Sequence, residues 1–121
     1  MSIQDFIKFL KSFVSTPLYP NAFPATAPKQ SIMVEVGQGL GSRGSISDVT
    51  LTLTVRAEQM GKAESISKDV INKLDGLTDE PIGESGQIVL IKSQQLVPSY
   101  LGKSDSDNHY YMNNFRVLVN D

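Results

Sequence analysis

Few residues of this chain have a type and spacing that could carry chemistry. The 121 residues include no cysteine, which excludes disulfides and thiolate metal sites, and His109 is the only histidine. A metal site at His109 would need carboxylate ligands, and Asp105 and Asp107 lie close to it in the sequence. The run from Asp105 to Asn108 is similar to the start of a calcium-binding loop, but it lacks the glycine that should follow and the distant bidentate glutamate. We therefore interpret this run as a polar turn that opens a strand, and we predict no metal site.

Two short motifs match enzyme signatures only in part. Gly39 to Gly44 fits the G-x-G-x-x-G pattern of dinucleotide-binding loops, which work because the glycines lead into a helix whose N-terminus faces the phosphates. The next segment here is typical of a strand, so we interpret the glycines as a flexible hairpin loop. Ser65 to Lys68 fits S-x-x-K, but the companion motifs of that enzyme class are absent. With no credible set of nucleophile, base and orienting group, we predict a protein that is not an enzyme and has no cofactor.

The composition is that of an ordinary globular protein, and 121 residues predict a single domain spanning residues 1–121. The net charge of -2 and the scattered Lys and Arg residues argue against a dedicated nucleic-acid binder, which normally has a clustered basic patch. No apolar run approaches the roughly 18 residues that a membrane span needs, and the N-terminus lacks the pattern of a signal peptide. We therefore expect a soluble protein that is made and folded in a cytoplasm and does not bind membranes.

Two amphipathic helices are predicted from apolar residues spaced three and four positions apart. The first begins at Ile3 and runs for about 13 residues, with Ser2 as its N-cap and Asp5 placed to complete a capping box. The second spans Met60–Leu74, and Gly76 provides its C-terminal stop. The residues that we expect in the buried core are Phe6, Leu10, Ile66, Val70 and Leu74.

Four strands are predicted from runs in which apolar and polar residues alternate. The clearest is 48–56, where Val49 begins an apolar face and Thr50 begins a polar one. Such alternation indicates a sheet that is covered on one face only, and hence a mostly antiparallel sheet. The other strands are predicted at 31–36, 87–97 and 110–119, with a glycine-rich loop at 37–47 and a polar loop at 98–109.

The order of these elements, α-β-β-α-β-β, predicts an α+β fold. We expect a two-layer domain in which two helices pack on one face of a four-stranded, mostly antiparallel sheet. A proline-rich arm, residues 17–30, joins the first helix to the first strand and carries Tyr19 and Phe23. These aromatic residues either fold back on the domain's own core or anchor a neighbouring subunit, and the sequence leaves both possibilities open.

Two parts of the chain together carry a resemblance to a known family. The first is the strand that ends in Val55-Arg56, followed by the helix 60–77. The second is Pro98-Ser-Tyr-Leu-Gly102, followed by Tyr111-Met-Asn-Asn-Phe-Arg-Val117. In pattern and element order, roughly residues 31–120 resemble the tail terminator proteins of long-tailed bacteriophages, also described as minor capsid or tail-completion proteins.

The resemblance implies a structural protein of the virion whose sheet is flanked by helices. Such proteins assemble as a ring, usually of six subunits, on the tube end that faces the head, and the ring stops polymerisation of the tube. The implied partners are other copies of the chain, the tail tube protein and the head completion or connector protein. DNA would pass through the ring without specific binding. Mild acidity suits such a pore, since Lys and Arg contacts supply most non-specific affinity for DNA.

The polar sheet face and the arm supply the candidate interface residues. The threonines of strand 48–56 form a flat, β-branched face that neither predicted helix covers, and aromatic residues and Arg are favoured as interface anchors. The residues that we expect to contact a neighbouring subunit or the tube are Tyr19, Phe23, Arg43, Thr50, Thr52, Thr54, Arg56 and Arg116.

The alternative function is that of a small cytosolic ligand-binding or regulatory α+β domain. A ligand binder would have one large apolar pocket with a few convergent polar groups. A ring-forming subunit would instead have sticky edges, mobile loops such as 37–47 and 103–108, and no concave pocket.

Overall fold

Residues 2–120 form two helices and one mixed β-sheet of seven strands. The structure, a computed structural model, describes these residues apart from the side chains of residues 40–43. The elements in chain order are α1 Ile3–Leu10, β1 Leu18–Pro20, β2 Ser31–Arg43, β3 Ile46–Ala57, α2 Met60–Leu74, β4 Thr78–Ile82, β5 Gly86–Ser93, β6 Ser99–Lys103 and β7 His109–Asn120.

The strands lie side by side in the order β1-β2-β3-β7-β5-β4, and β6 pairs with the first half of β7, which β5 does not reach. β1 runs parallel to β2, whereas β2, β3, β7 and β5 are joined by antiparallel pairs. The prediction of a four-stranded, mostly antiparallel sheet was therefore wrong. The four predicted strands form its centre as β2, β3, β7 and β5, and β1, β4 and β6 extend it into a mixed sheet.

The three strands that the sequence analysis missed are short and lie in segments rich in turn-forming residues. β1 ends in Pro20, and β4 contains Pro81 together with Asp79, whose φ of 57° is left-handed. β6 carries an irregularity between Tyr100 and Gly102. Proline and left-handed residues are tolerated at the edge of a sheet, where one side of the strand needs no partner. None of these segments shows the period of two that identified the long strands.

The glycine-rich segment 37–47 belongs to a long hairpin rather than to a loop. β2 continues to Arg43 and pairs with β3 up to Arg43 opposite Ile46, with a register shift between Gln38 and Gly41. Gly44, with a φ of 61°, lies in the two-residue turn. Backbone pairing with β3 compensates for the weak strand propensity of glycine, which the sequence analysis took as the sign of a loop.

The predicted core is confirmed for four of its five residues, and both helices pack on the same face of the sheet. Phe6, Leu10, Val70 and Leu74 are buried among strand residues such as Leu51, Leu53, Phe115 and Val117, while Ile66 lies partly buried at the margin of this cluster. The boundaries of α2 match the prediction, and Gly76, with a φ of 88°, follows its end. No helix within residues 2–120 is long and apolar enough to cross a membrane.

α1 is shorter than predicted, with eight residues instead of about 13. Ser2 and Asp5 form the expected capping box. After Leu10 the chain tightens into turns, because Ser12 and Phe13 donate to the carbonyl oxygens three residues earlier. α1 contacts β1 and β2 at one edge of the sheet and β4 at the other. The sheet therefore curls around α1, and the opposite face of its central strands stays free of helices.

Candidate assembly surfaces

The helix-free side of the central strands is the first surface that could meet a partner, and we call it the open face. Its side chains form cross-strand rows, since the register places residues of β2, β3 and β7 opposite one another. One row runs from Glu35 through Thr52 to Asn114, and the next begins at Thr50 beside Arg116. The open face consists of Met33, Glu35, Thr50, Thr52, Thr54, Met112, Asn114 and Arg116.

Two pairs of polar side chains are hydrogen-bonded on the open face. The hydroxyl of Thr52 donates to Oδ1 of Asn114 at 2.7 Å. Arg116 donates to Oδ2 of Asp48 from Nε at 2.9 Å and from Nη2 at 2.7 Å. The hydrogen bond to this carboxylate and its charge raise the pKa of the Arg116 guanidinium above its ordinary value, so the group stays charged. The face is therefore mostly polar.

Gly39 makes room for the buried carboxylate of Asp48. A side chain at Gly39 would place its Cβ 2.6 Å from the carbonyl oxygen of Asp48 and 2.7 Å from its Oδ1. The Asp48 side chain is only 7% exposed, and the hairpin closes over it. The first glycine of the G-x-G-x-x-G match therefore has a packing role in a hairpin, and no helix follows the motif.

Arg56 holds the proline-rich arm against the domain. Its guanidinium lies 4.3 Å from the centre of the Phe23 ring, which is favourable for a cation–π contact. Nε donates to the hydroxyl of Ser31 at 3.0 Å, and Nη2 donates to the carbonyl oxygen of Pro28 at 3.2 Å. The Phe23 ring also meets Tyr110 edge-on, with ring centres 6.0 Å apart. Within the single chain, Phe23 thus packs on its own domain, which was the first of the two possibilities that the sequence left open.

The remaining candidate residues lie along the same side of the molecule. Tyr19 is half-buried in β1 opposite Met33, which places it at the edge of the open face. Thr54 is buried, whereas Thr50 and Thr52 are half-buried. The structure therefore brings Tyr19, the threonines and Arg116 to one surface, with Phe23 and Arg56 beside them. The side chain of Arg43 lies outside the described residues.

The residues considered for chemistry are not assembled into a site within residues 2–120. No group of three or more His, Asp or Glu side chains there could hold a metal ion. His109 accepts from or donates to the Tyr100 hydroxyl through Nδ1 at 2.9 Å and stacks on its ring. The pKa of the neighbouring Tyr111 hydroxyl is raised, mainly because this side chain is buried. Lys68 of the S-x-x-K match lies 3.8 Å from Glu64 on the same helix.

The grooves on the described surface are open and charged. One of about 570 Å³ is lined almost entirely by polar residues around Lys29, Glu58 and Lys62. Another of about 510 Å³ lies between α1 and β4. Neither combines enclosed apolar walls with convergent polar groups, which a small-molecule site requires.

Sequence analysis missed a group of exposed apolar residues between β5 and β6. Leu96 is 99% exposed and Val97 is 64% exposed, and Tyr100 and Leu101 nearby are also exposed. The sequence predicts that residues 96 and 97 end a strand, because they continue the apolar run of β5. Pro98 marks the end of that strand, since proline cannot donate to a strand ladder, but it does not show how many residues earlier the pairing with β7 stops.

Comparisons with known proteins agree with this architecture. A family model described as bacteriophage tail terminator protein matches residues 9–121. A chain of a solved structure, the virion of a native gene transfer agent particle, has the same fold with a TM-score of 0.67 at 16% sequence identity. That match covers 98% of this chain and 91% of the other. A search of curated proteins found no similar sequence.

Proposed function

Because this chain belongs to the family of bacteriophage tail terminator proteins, a family of structural virion proteins, we propose that it caps the tail tube. In this proposal, several copies close into a ring, most simply a hexamer, on the tube end that faces the head. The ring stops polymerisation of the tube protein and binds the head completion or connector protein. DNA passes through its centre.

The open face is the observation that carries the proposal. Both helices cover the other side of the sheet, so the fold does not need partners to bury its core. Two polar pairs on the open face are already formed, so a neighbouring protein can pack on it without leaving the Asp48 carboxylate or Oδ1 of Asn114 unpaired. Contact through different patches on successive subunits closes a ring when the rotation between them allows it.

The charge of the chain supports passage of DNA through the ring. With a net charge of -2, the subunit lacks the excess of Lys and Arg that gives proteins most of their non-specific affinity for DNA. Arg116 is an exposed cation of the open face, and it is already paired with Asp48. A ring of such subunits would let the phosphate backbone of DNA slide through its centre.

Electron microscopy of tails made with and without the protein tests this function. Without it, we expect tubes of uncontrolled length or tails that do not join heads. Tails of normal length that still join heads would contradict the proposal.

A variant of the open face should reproduce the same defect while the protein stays folded. Thr50→Arg places a bulky charge beside Arg116, so we expect tail completion to fail although the melting temperature hardly changes. Ser65→Arg, on the exposed side of α2, is the matched control and should complete tails normally. Equal activity of the two variants would argue against the open face as the contact surface.

A further inference from the structure

A glutamine side chain bridges the gap between β5 and β6. β5 leaves β7 after Ser93, and β6 joins the same side of β7 at Ser99. Between them, Oε1 of Gln95 accepts from the backbone N–H of Asn114 at 2.7 Å, and Nε2 donates to the carbonyl oxygen of Met112 at 3.2 Å. The side-chain amide therefore supplies the donor and the acceptor that a strand residue would offer, and the main chain is free to bulge outwards.

The bulge is braced at several points. Nε2 of Gln95 also lies 2.8 Å from the hydroxyl of Ser99. The hydroxyl of Ser93 donates to the carbonyl oxygen of Gln95 at 2.6 Å, and Pro98 is buried. A loop that is ordered before it binds loses little conformational entropy on binding.

This braced loop presents two apolar side chains to water, and we call Leu96 and Val97 the knob. Single exposed apolar residues are common on protein surfaces. Here, however, an almost fully exposed leucine and its exposed neighbour lie side by side on the braced loop, and Leu101 is exposed close by in sequence. Clustered exposed apolar surface marks protein–protein contact sites.

The same chain carries a groove of complementary character between α1 and β4. Phe9 and Phe13, whose ring centres are 5.1 Å apart, contribute apolar surface to it together with Pro81. Its rim includes three carboxylates and one lysine, and these rim residues are Asp5, Lys8, Glu80 and Glu84. The strand that leads to the knob carries Lys92, whose side chain is 64% exposed and lies 3.8 Å from Asp75 of the same chain, a surface pair of little strength. Knob and groove therefore both offer apolar surface, and a rim carboxylate of the next copy can replace Asp75 as the partner of Lys92.

Knob and groove lie at opposite ends of β5. The groove includes the turn that leads into β5 at Gly86, and the knob follows the last residue of β5, Ser93. Eight strand residues span roughly 25 Å, so the two surfaces do not meet within one subunit. We propose that the knob of one copy docks into the α1–β4 groove of the next copy. This inference rests on the proposed function, and it specifies the head-to-tail contact that would close the ring.

Two variants, each of which disrupts only one of the two surfaces, test the contact. Leu96→Asp removes the knob and keeps the groove, whereas Ser12→Arg fills the groove at an exposed lining position and keeps the knob. Sedimentation velocity should show that wild-type chain self-associates with rising concentration and that each variant alone does so about tenfold or more weakly. A mixture of the two should form a one-to-one dimer and nothing larger, because only one intact knob and one intact groove remain in each pair.

Nuclear magnetic resonance locates the contact in that mixture. The amide signals of Phe13 and Gly83 in a labelled Leu96→Asp chain should shift when unlabelled Ser12→Arg chain is added. Met60→Asp and Ser15→Arg are matched controls at exposed positions outside knob and groove, and they should self-associate like wild type. A mixture that stays monomeric, a wild type that never associates, or shifts elsewhere on the molecule would overturn the contact.

Tail completion separates this inference from the proposed function. If Leu96→Asp completes tails as well as wild type does, the knob contact is wrong and the terminator role stands. If removal of the whole protein leaves tail length and head joining unchanged, the terminator role is wrong whatever the association data show.

Discussion

The two faces of the sheet are stabilised in different ways. On the helix-covered face, Leu51, Leu53 and Phe115 are fully buried under the helices. On the open face, hydrogen bonds and ion pairs join neighbouring strands, as between Thr52 and Asn114. Apolar burial supplies most folding free energy, whereas partly exposed polar pairs contribute little. The surface left free for assembly is therefore largely separate from the surface that holds the fold.

One polar pair interrupts the helix-covered face. Nδ2 of Asn113 in β7 donates to the hydroxyl of Ser67 at 2.7 Å and to its carbonyl oxygen at 3.0 Å, and both residues are fully buried. Oδ1 of Asn113 has no protein partner among the described residues. This pair ties α2 to the central strand, and its loss tests whether that face depends on packing alone.

The largest effect should come from the apolar core. Leu74→Ala removes a fully buried side chain and leaves a cavity, so we expect the free energy of unfolding to fall by about 2–5 kcal/mol. Leu101→Ala, at a position 55% exposed, is the control and should change it by less than about 0.5 kcal/mol. Urea denaturation measures both, and a loss well under 1 kcal/mol for Leu74→Ala would mean that α2 is misplaced.

A smaller effect should follow from loss of the buried polar pair. Ser67→Ala leaves the Asn113 amide with one acceptor fewer in the core, which should lower the free energy of unfolding by about 1–3 kcal/mol. Ser65→Ala on the exposed side of the same helix is the control. If the two variants melted alike, the helix-covered face would depend on apolar packing alone, and the comparison of the two faces would become sharper.

Beside the open face, loss of Arg56 should release the arm while the core stays folded. Arg56→Ala removes the contact with Phe23 and the bonds to Ser31 and Pro28, so we expect stability to fall by only about 1 kcal/mol. Amide exchange in residues 21–30, including the Ala27 N–H that donates to Pro24, should become much faster.

Two further variants at this position separate charge from geometry. Arg56→Lys keeps the charge but not the planar fork, and it should release the arm in part. Arg56→Glu should also leave the core folded yet weaken assembly and tail completion. An arm as protected in Arg56→Ala as in wild type would show that Arg56 does not hold it.

The smallest effect concerns acid stability at the start of α1. The Ser2 N–H donates to the Asp5 carboxylate, which lowers the pKa of Asp5 below its ordinary value of 3.8. The carboxylate therefore adds stability that is present above pH 3.8 and is lost as the pH falls through the lower, folded-state pKa. Asp5→Asn should be slightly less stable than wild type at neutral pH and equal to it in acid. Parallel curves of stability against pH would contradict this account.

Local patterns were enough to predict the helices and the long strands. The spacing of apolar residues gave the correct limits of α2, and the Ser2–Asp5 capping box is present as expected. Alternation identified the faces of β3 and β7, since Val117 and Val119 are buried while Arg116 is exposed. These features succeed because they depend on contacts within one element and on burial of one face.

The short edge strands could not be predicted in the same way. β1, β4 and β6 have three to five residues each, and they exist because a longer neighbour offers unpaired backbone groups. The hairpin was missed for a related reason. From the sequence, Gly39 is predicted to lie in a loop. The structure shows that Asp48 occupies the space that a side chain at position 39 would need.

The amphipathic helices, the alternating strands and the family pattern follow from the sequence, because they depend on residues close together in the chain. The contacts of three polar side chains follow instead from the fold. Arg56 closes over Phe23, Asp48 pairs with Arg116 across 68 residues, and Gln95 replaces a strand residue beside β7. A polar side chain can form hydrogen bonds with many different groups. Its actual partner is the group that the fold brings within about 3 Å of it.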